Sequence, residues 1–294
     1  MACLYMIHGV VLSLPFRCDQ LAPVQSGLSP DVVVAEGPVP RALHAPLASE
    51  REFDALADSF LYRGGNRSAR FLVQRGETIV FERNRRFDAD LFEHHLLFPV
   101  MAAVLRQRRL LVLHASCAVG KHGAVLVAGE PGAGKSTTIA GLAAEGFGLQ
   151  TDDVSALRVI PQGRIEVLPG TTQVHLHDKA AEWLPFDTRN LVRHPWHGDK
   201  MAVPIAAISR SACVVYRIIH LRGYVGQDVR ITRITGRDRL PLLLRSLYGP
   251  VLMEQIRGNF HLLSHALCAA EMLAIERPID QWTLDTIVDA ILRA

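Results

Sequence analysis

Lysine is scarce in this chain. Of its 32 lysines and arginines only four are lysine, at 121, 135, 179 and 200. Where arginine is the default cation, a lysine placed where a compact ammonium serves better than a planar guanidinium carries information. Cysteine is also thin: five residues (Cys3, Cys18, Cys117, Cys213, Cys268), widely scattered, with no C-x-x-C pair. That excludes a ribbon-type zinc site and a disulfide scaffold, and it suits reduced thiols. The net charge is only +3, so nothing in the balance demands nucleic acid or an anionic membrane surface. No apolar run approaches the roughly 20 residues of a membrane span. The apolar start, 2–16, has no basic flank and is broken by His8, Ser13 and Pro15, so no signal peptide is expected. These absences lead to the expectation of a cytoplasmic protein, and the 49% apolar content is enough for one large core or two.

What is present is a phosphate-binding loop. Residues 129–136 read G-E-P-G-A-G-K-S, after an apolar strand (Ala124 to Ala128) and before an alanine-rich helical stretch (Thr137 to Glu145). Strand, loop and helix are what the chemistry requires: glycines let backbone N–H groups turn toward phosphates, and the helix presents the positive end of its dipole. Gly129, Glu130, Pro131, Gly132, Ala133, Gly134, Lys135, Ser136 and Thr137 are therefore the candidate nucleotide-binding residues. Lys135, one of the four lysines, would reach the β/γ oxygens of ATP, and the Ser136 hydroxyl would ligate Mg²⁺.

A short strand (Phe147 to Thr151) follows and ends in Asp152-Asp153, only 16 residues after Ser136. If this strand lies beside the phosphate-loop strand, both carboxyl ends meet in one crevice. One carboxylate would then hold the metal and the other would accept a proton from an attacking hydroxyl.

The rest of the pattern is mixed α/β. Residues 1–88 are predicted to form a small β-rich unit, with strands at 4–14 and 31–35 and a hairpin at 70–82. Residues 89–294 are predicted to form the catalytic domain, entered through a helix over 88–106. A hairpin (154–168), a loop-rich stretch (169–204), antiparallel strands at 213–221 and 229–234, and a helical C-terminal segment complete it. His175 and His177 alternate on one strand face, where a solvated face is the favoured reading over a metal site. His194 to His197 reads as a loop over the site. Eight arginines between 210 and 245 suggest a solvated sheet face or a ledge for an acidic peptide. Ser116 and Cys117 beside His114 lack a third partner for nucleophilic catalysis, so Cys117 reads as core.

L-H-A-S-C-A-V around His114, G-A-V-L-V-A-G, E-P-G-A-G-K-S-T and T-D-D together resemble the catalytic domain of HPr kinase/phosphorylase. They are closer still to its shorter relatives that serve peptide-maturation systems, lasso-peptide precursor kinases among them. The resemblance covers about 110–205 and implies a nucleotide-binding fold like that of phosphoenolpyruvate carboxykinase. Residue by residue it implies Lys135 on the phosphates, Ser136 and Asp153 on the metal, Asp152 as base, His114 nearby, and Lys200 on a basic segment facing the transferring group. The glycine-rich signature that bacterial HPr kinase/phosphorylases carry after the acidic pair has no match, which separates this chain from HPr itself as substrate. The implied acceptor is a serine of a peptide or protein, with a small carrier protein as a candidate partner; no nucleic-acid or membrane partner is expected, and an oligomer stays open. A small-molecule kinase and a nucleotide switch without transfer are the alternatives.

Overall fold

The computed structural model describes residues 2–24, 27–184, 191–193, 198–249 and 260–293. The chain divides into two compact units, Met1–Val112 with Tyr248–Phe260, and Leu113–Leu247 with His261–Ala294. The division falls after 112, not after 88, so the helix predicted to open the catalytic domain belongs to the N-terminal unit. Among the described residues no helix is long and apolar enough to cross a membrane.

The N-terminal unit is a sheet of nine described strands: β1 Cys3–Ile7, β2 Val10–Leu14, β3 Ala22–Pro23, β4 Val32–Glu36, β5 Ala48–Ser49, β6 Phe53–Ala55, β7 Ser59–Arg63, β8 Ala69–Gln74 and β9 Thr78–Arg83. Their order is β3-β1-β2-β4-β9-β8-β7-β6-β5. The single strand predicted over 4–14 is a hairpin, because His8 and Gly9 both take positive φ (50° and 72°), as a two-residue turn between twisted strands requires. Behind the sheet runs a helix in three pieces: α1 Ala89–His95, a π-helical stretch Leu96–Val100, and α2 Met101–Gln107. Asp88 caps it, accepting from the Leu91 N–H at 3.1 Å. Pro99 has no N–H to give, and the widened turn forms around it. Phe92 packs against Phe71 and Phe81 from the sheet, with ring centroids 5.2 and 4.8 Å away.

The C-terminal unit holds the motifs. β10 Leu111–Gly120 turns back into β11 Gly123–Ala128, and α3 Lys135–Ala144 leaves the phosphate loop. Then come β12 Gly148–Thr151, β13 Val154–Val159, β14 Ile165–Val167, β15 Gln173–His177, α4 Asp178–Trp183, β16 Val192–Arg193 and β17 Lys200–Pro204. The chain continues with β18 Cys213–Tyr224, β19 Arg230–Arg233, α5 Arg239–Arg245, α6 Phe260–Ala269, β20 Glu271–Pro278 and α7 Leu284–Arg293. The main sheet follows the order β11-β10-β13-β14-β18-β20-β19, with β12 also on β10 and β18 also on β11, so part of it closes on itself. β11, β18 and β20 are adjacent and parallel. Ile139 and Leu142 of α3 and Leu284, Ile287 and Ile291 of α7 bury against Val125, Ile219 and Ile275 of these strands.

Four local expectations change. β12 pairs with β10, not with the phosphate-loop strand, although β11 and β12 run the same way on either side of β10. The stretch 169–204 contains a three-stranded sheet, β15-β17-β16, whose short strands lack a long alternating pattern. β18 and β19 do not pair with each other, because β20 lies between them. β20 itself falls in the segment predicted to be helical: its apolar residues Met272, Leu273 and Ile275 bury in a central strand, and tertiary contacts override the local pattern.

One titratable group is tied closely to the N-terminal core. His95 is buried, its Nδ1 lies 2.9 Å from Ser68 Oγ, and burial pushes its pKa from 6.5 down to about 4. Between those values the unfolded chain binds a proton that the folded chain does not, so stability falls as pH falls through this window. This one group is expected to remove roughly 3 kcal/mol between pH 6.5 and 4. Urea unfolding across that range should be less pH-sensitive in His95→Asn, and identical slopes would clear His95.

Candidate active site

The loop itself is shaped by two demands, positive backbone angles and a close approach to a neighbouring strand. Gly129, Gly132 and Gly134 have φ of 150°, 80° and 105°. A Cβ on Gly129 would lie 2.1 Å from the Leu221 carbonyl oxygen of β18, so the loop can pass there only with glycine. Gly134 caps α3 in the left-handed conformation without a side-chain hydrogen bond, leaving this helix end to an anion. Lys135 is buried and folds back over the loop, donating to the Gly129 and Glu130 carbonyls at 3.1 and 3.3 Å. Burial, with the charge of Lys200, lowers its pKa, while Asp153 and Asp152 oppose that change. Lys200, half-buried on β17 opposite His177, is thus near enough to be felt by Lys135.

The acidic pair sits where β12 gives way to β13. The Val154 N–H donates to the Asp152 carbonyl at 2.7 Å across Asp153, whose φ is 61°. A three-residue turn of this hand is rare and costly for a residue with a side chain. Its effect is to give the two carboxylates, whose oxygens stay within 4.8 Å of each other, different surroundings. Asp152 is fully buried. Its Oδ1 accepts from the Ser116 hydroxyl at 2.5 Å and the Ser136 hydroxyl at 3.0 Å, and its Oδ2 accepts from the His175 N–H at 3.0 Å. Asp153 keeps 28% of its side chain exposed, 3.6 Å from Nε2 of His114, itself 29% exposed.

Their electrostatics diverge accordingly. Burial, reinforced by the neighbouring Asp153, raises the pKa of Asp152 despite its hydrogen bonds. Burial pushes Asp153 the same way, but the hydrogen bond and charge of His114, with His175 and Lys135, outweigh it and hold that carboxyl below the usual range.

The loop residues, Asp152, Asp153 and His114 therefore come together, with Lys200 at the edge. Three contributors were not expected from the sequence. Ser116 is buried and holds Asp152 from β10. His175, expected on a solvated face, is buried, and a ring nitrogen lies within 4.8 Å of oxygens of both carboxylates. His177, in contrast, is exposed and pairs with Asp199 at 2.9 Å. Arg277 donates from Nε to the Ala133 carbonyl at 2.8 Å, bracing the loop from 144 residues away. Only the alternation of β15 could have signalled His175. Nothing local marks Arg277.

Two other expectations resolve. Cys117 is core, and burial drives its thiol pKa well up. The arginines from 210 to 245 are mostly solvated, as expected, with Arg217 the exception: it is 1% exposed and held by Glu271 and the Ile291 carbonyl. The loop reading of His194 to His197 lies outside the described residues.

No protein-family model matches the chain, and no curated protein matches it. Among solved structures, the HPr(Ser) kinase/phosphatase from Coxiella burnetii aligns over 62% of this chain and 93% of that one. The identity is 16% and the TM-score 0.30. An overlap that loose assigns nothing, so the chemistry has to be argued from the site.

The loop geometry makes a graded prediction. Gly132 also has positive φ, but a Cβ there meets nothing within 4 Å. Gly132→Ala is expected to cost about 1–2 kcal/mol from backbone strain alone. Gly129→Ala adds the collision with Leu221 and should cost more. Thermal unfolding of the two variants reads the difference, and equal losses would remove the close approach as the reason for glycine.

Proposed function

We propose that the C-terminal unit is an ATP- and Mg²⁺-dependent kinase of the HPr-kinase-related type, transferring the γ-phosphoryl group to a hydroxyl. The observation that carries this reading is the contact between Ser136 of the phosphate loop and buried Asp152. A hydroxyl at the start of the loop helix, held by a carboxylate from another strand of the same sheet, is the arrangement that phosphate-loop enzymes use to hold a metal.

The residues fit Mg²⁺. Ser136 and the acidic pair offer the hard oxygen donors it prefers, and a buried carboxylate whose pKa is raised is a place where a cation relieves an electrostatic cost. Bound there with ATP, the metal would neutralise charge on the phosphate oxygens. Lys135 would exchange its two loop carbonyls for phosphate oxygens, and the open end of α3 would complete the cradle.

The contacts of the two carboxylates support a division of labour opposite to the one the resemblance implies. Both oxygens of Asp152 are already occupied by donors, one of them Ser136, which suits the metal side. Asp153 is partly exposed beside His114, which suits the acceptor side. There it would orient the attacking hydroxyl and take its proton as the oxygen–phosphorus bond forms and ADP leaves. Its low pKa is no obstacle, because in a loose phosphoryl transfer position counts for more than basicity. The acceptor class, a serine of a ribosomally made precursor peptide or of a protein, comes from the motif resemblance. The N-terminal unit is proposed to grip that acceptor or a carrier.

Incubation with γ-labelled ATP, Mg²⁺ and candidate peptides tests the reading. Phosphate on a peptide serine is expected; ATP consumption with every peptide unmodified would favour a metabolite kinase or a switch. Lys135→Ala should abolish turnover. Asp153→Asn should lower kcat by about 10²-fold or more with ATP affinity little changed. Asp152→Asn should instead weaken Mg²⁺-dependent ATP binding. The reverse pattern would restore Asp152 as base.

A further inference from the structure

A cavity of about 520 Å³ lies in the C-terminal unit, at the end of β11 opposite the phosphate loop. Its walls are the turn between β10 and β11, the last turn of α3, Tyr216 of β18 and the end of α7. β11 starts here at Gly123 and delivers the phosphate loop at its far end, six residues or about 20 Å on. α3 starts at that loop and ends here, with Glu145 as its C-cap.

Two aromatic rings line the cavity, and glycine makes room for each. A Cβ on Gly120 would lie 2.3 Å from a ring carbon of Phe147, so that ring rests on bare backbone. A Cβ on Gly123 would lie 2.7 Å from the Val214 carbonyl oxygen and 3.2 Å from Cβ of Tyr216. Gly120 and Gly123 are paired partners at the close of the hairpin, which brings the two approaches together. Tyr216 owes its place to a bulge. Ala124 is in register with Val215 but Val125 with Arg217, which leaves Tyr216 as the extra residue of β18. The Arg217 guanidinium donates to the Tyr216 hydroxyl at 3.1 Å, and is itself fixed by Glu271 at 2.6 Å and the Ile291 carbonyl at 2.9 Å. The tyrosine ring is therefore held in place. Val125, Ile291 and Leu292 add apolar surface. Four charged or basic side chains line the cavity: Lys121, His122, Glu145 and Arg293, the last already paired with Asp289.

We propose that this cavity binds a small aromatic zwitterion, of the class of the aromatic α-amino acids. Its volume is within the range of small-molecule sites, about 300–1,000 Å³, with apolar walls and few polar groups. Phe147 and Tyr216 offer a ring two fixed aromatic partners, which costs little ordering entropy. The ligand carboxylate meets Lys121, one of only four lysines, and His122, whose ring lies 5.6 Å from that of Tyr216. The ligand ammonium meets Glu145, at a helix end whose dipole also favours a cation. A ligand of one sign would leave one of these groups opposed, whereas a zwitterion uses both. The site is separate from the phosphate loop, and its chemistry is independent of the kinase reading.

The test titrates the full chain with four probes and follows the backbone amide resonances of Gly120, Gly123 and Gly146 by NMR. L-phenylalanine carries all three features; N-acetyl-L-phenylalanine lacks the ammonium, phenethylamine the carboxylate and glycine the ring. Saturable shifts at these amides are expected with L-phenylalanine, and about fivefold or weaker binding with each of the other three. Lys121 and Glu145 are exposed, so Lys121→Glu and Glu145→Lys leave the core intact, and the amide spectrum itself reports folding. Each variant is expected to bind L-phenylalanine about fivefold more weakly. Absence of a saturable shift with L-phenylalanine overturns the site. So does equal binding of any truncated probe, or unchanged affinity in both folded variants.

Discussion

The carboxylate of Asp152 is the point on which the C-terminal unit turns. It has no contact with solvent, and a buried carboxylate is tolerable only when its oxygens are matched by donors. Those donors come from three separate elements: Ser116 on β10, Ser136 at the start of α3, and the His175 backbone on β15. One charge therefore fixes how the phosphate-loop helix, the central strand and the small β15-β17-β16 sheet meet. Oδ1 is shared by the two hydroxyls, whereas Oδ2 depends on the His175 N–H. The same arrangement explains the turn at Asp153. With its neighbour pulled inward, the next residue is thrown into a positive φ and its side chain out toward His114.

β10 is the structural reason these donors converge. It carries β11 on one side and β12 on the other, both antiparallel to it. The phosphate loop and the acidic pair each emerge from the carboxyl end of one of these flanking strands, level with His114 and Ser116. Parallel strands β11, β18 and β20 then extend the same edge toward Arg277, which braces the glycine-rich loop from the last of them. The N-terminal unit has its own aromatic core around Phe71, Phe81 and Phe92.

The locally encoded parts were legible. Glycines with lysine and serine at fixed offsets, between an apolar strand and a helix, specify the loop because φ > 0 and backbone N–H donation are properties of the chain itself. The hairpins at 70–82 and 154–168 were equally readable, since alternation and turn residues lie within one short window. The single strand expected at 4–14 failed for an instructive reason. His8-Gly9 is a two-residue turn whose only local sign is one glycine, and the apolar pattern runs on across it. β20 failed because a buried central strand and a buried helix segment look alike in an apolar window.

By itself, the sequence determined a glycine-rich loop ending in lysine and serine between a strand and a helix, a pair of carboxylates that follows it closely, and an α/β fold. It left to the tertiary structure which carboxylate faces inward, that His175 joins the pair, and that Arg277 braces the loop from 144 residues away. The physical reason is range. Turn geometry and helix polarity act over a few residues and are written in the local chain, whereas desolvation and hydrogen-bond matching depend on which distant strands close around a group. Asp152 and Asp153 are identical as residues, and only burial tells them apart.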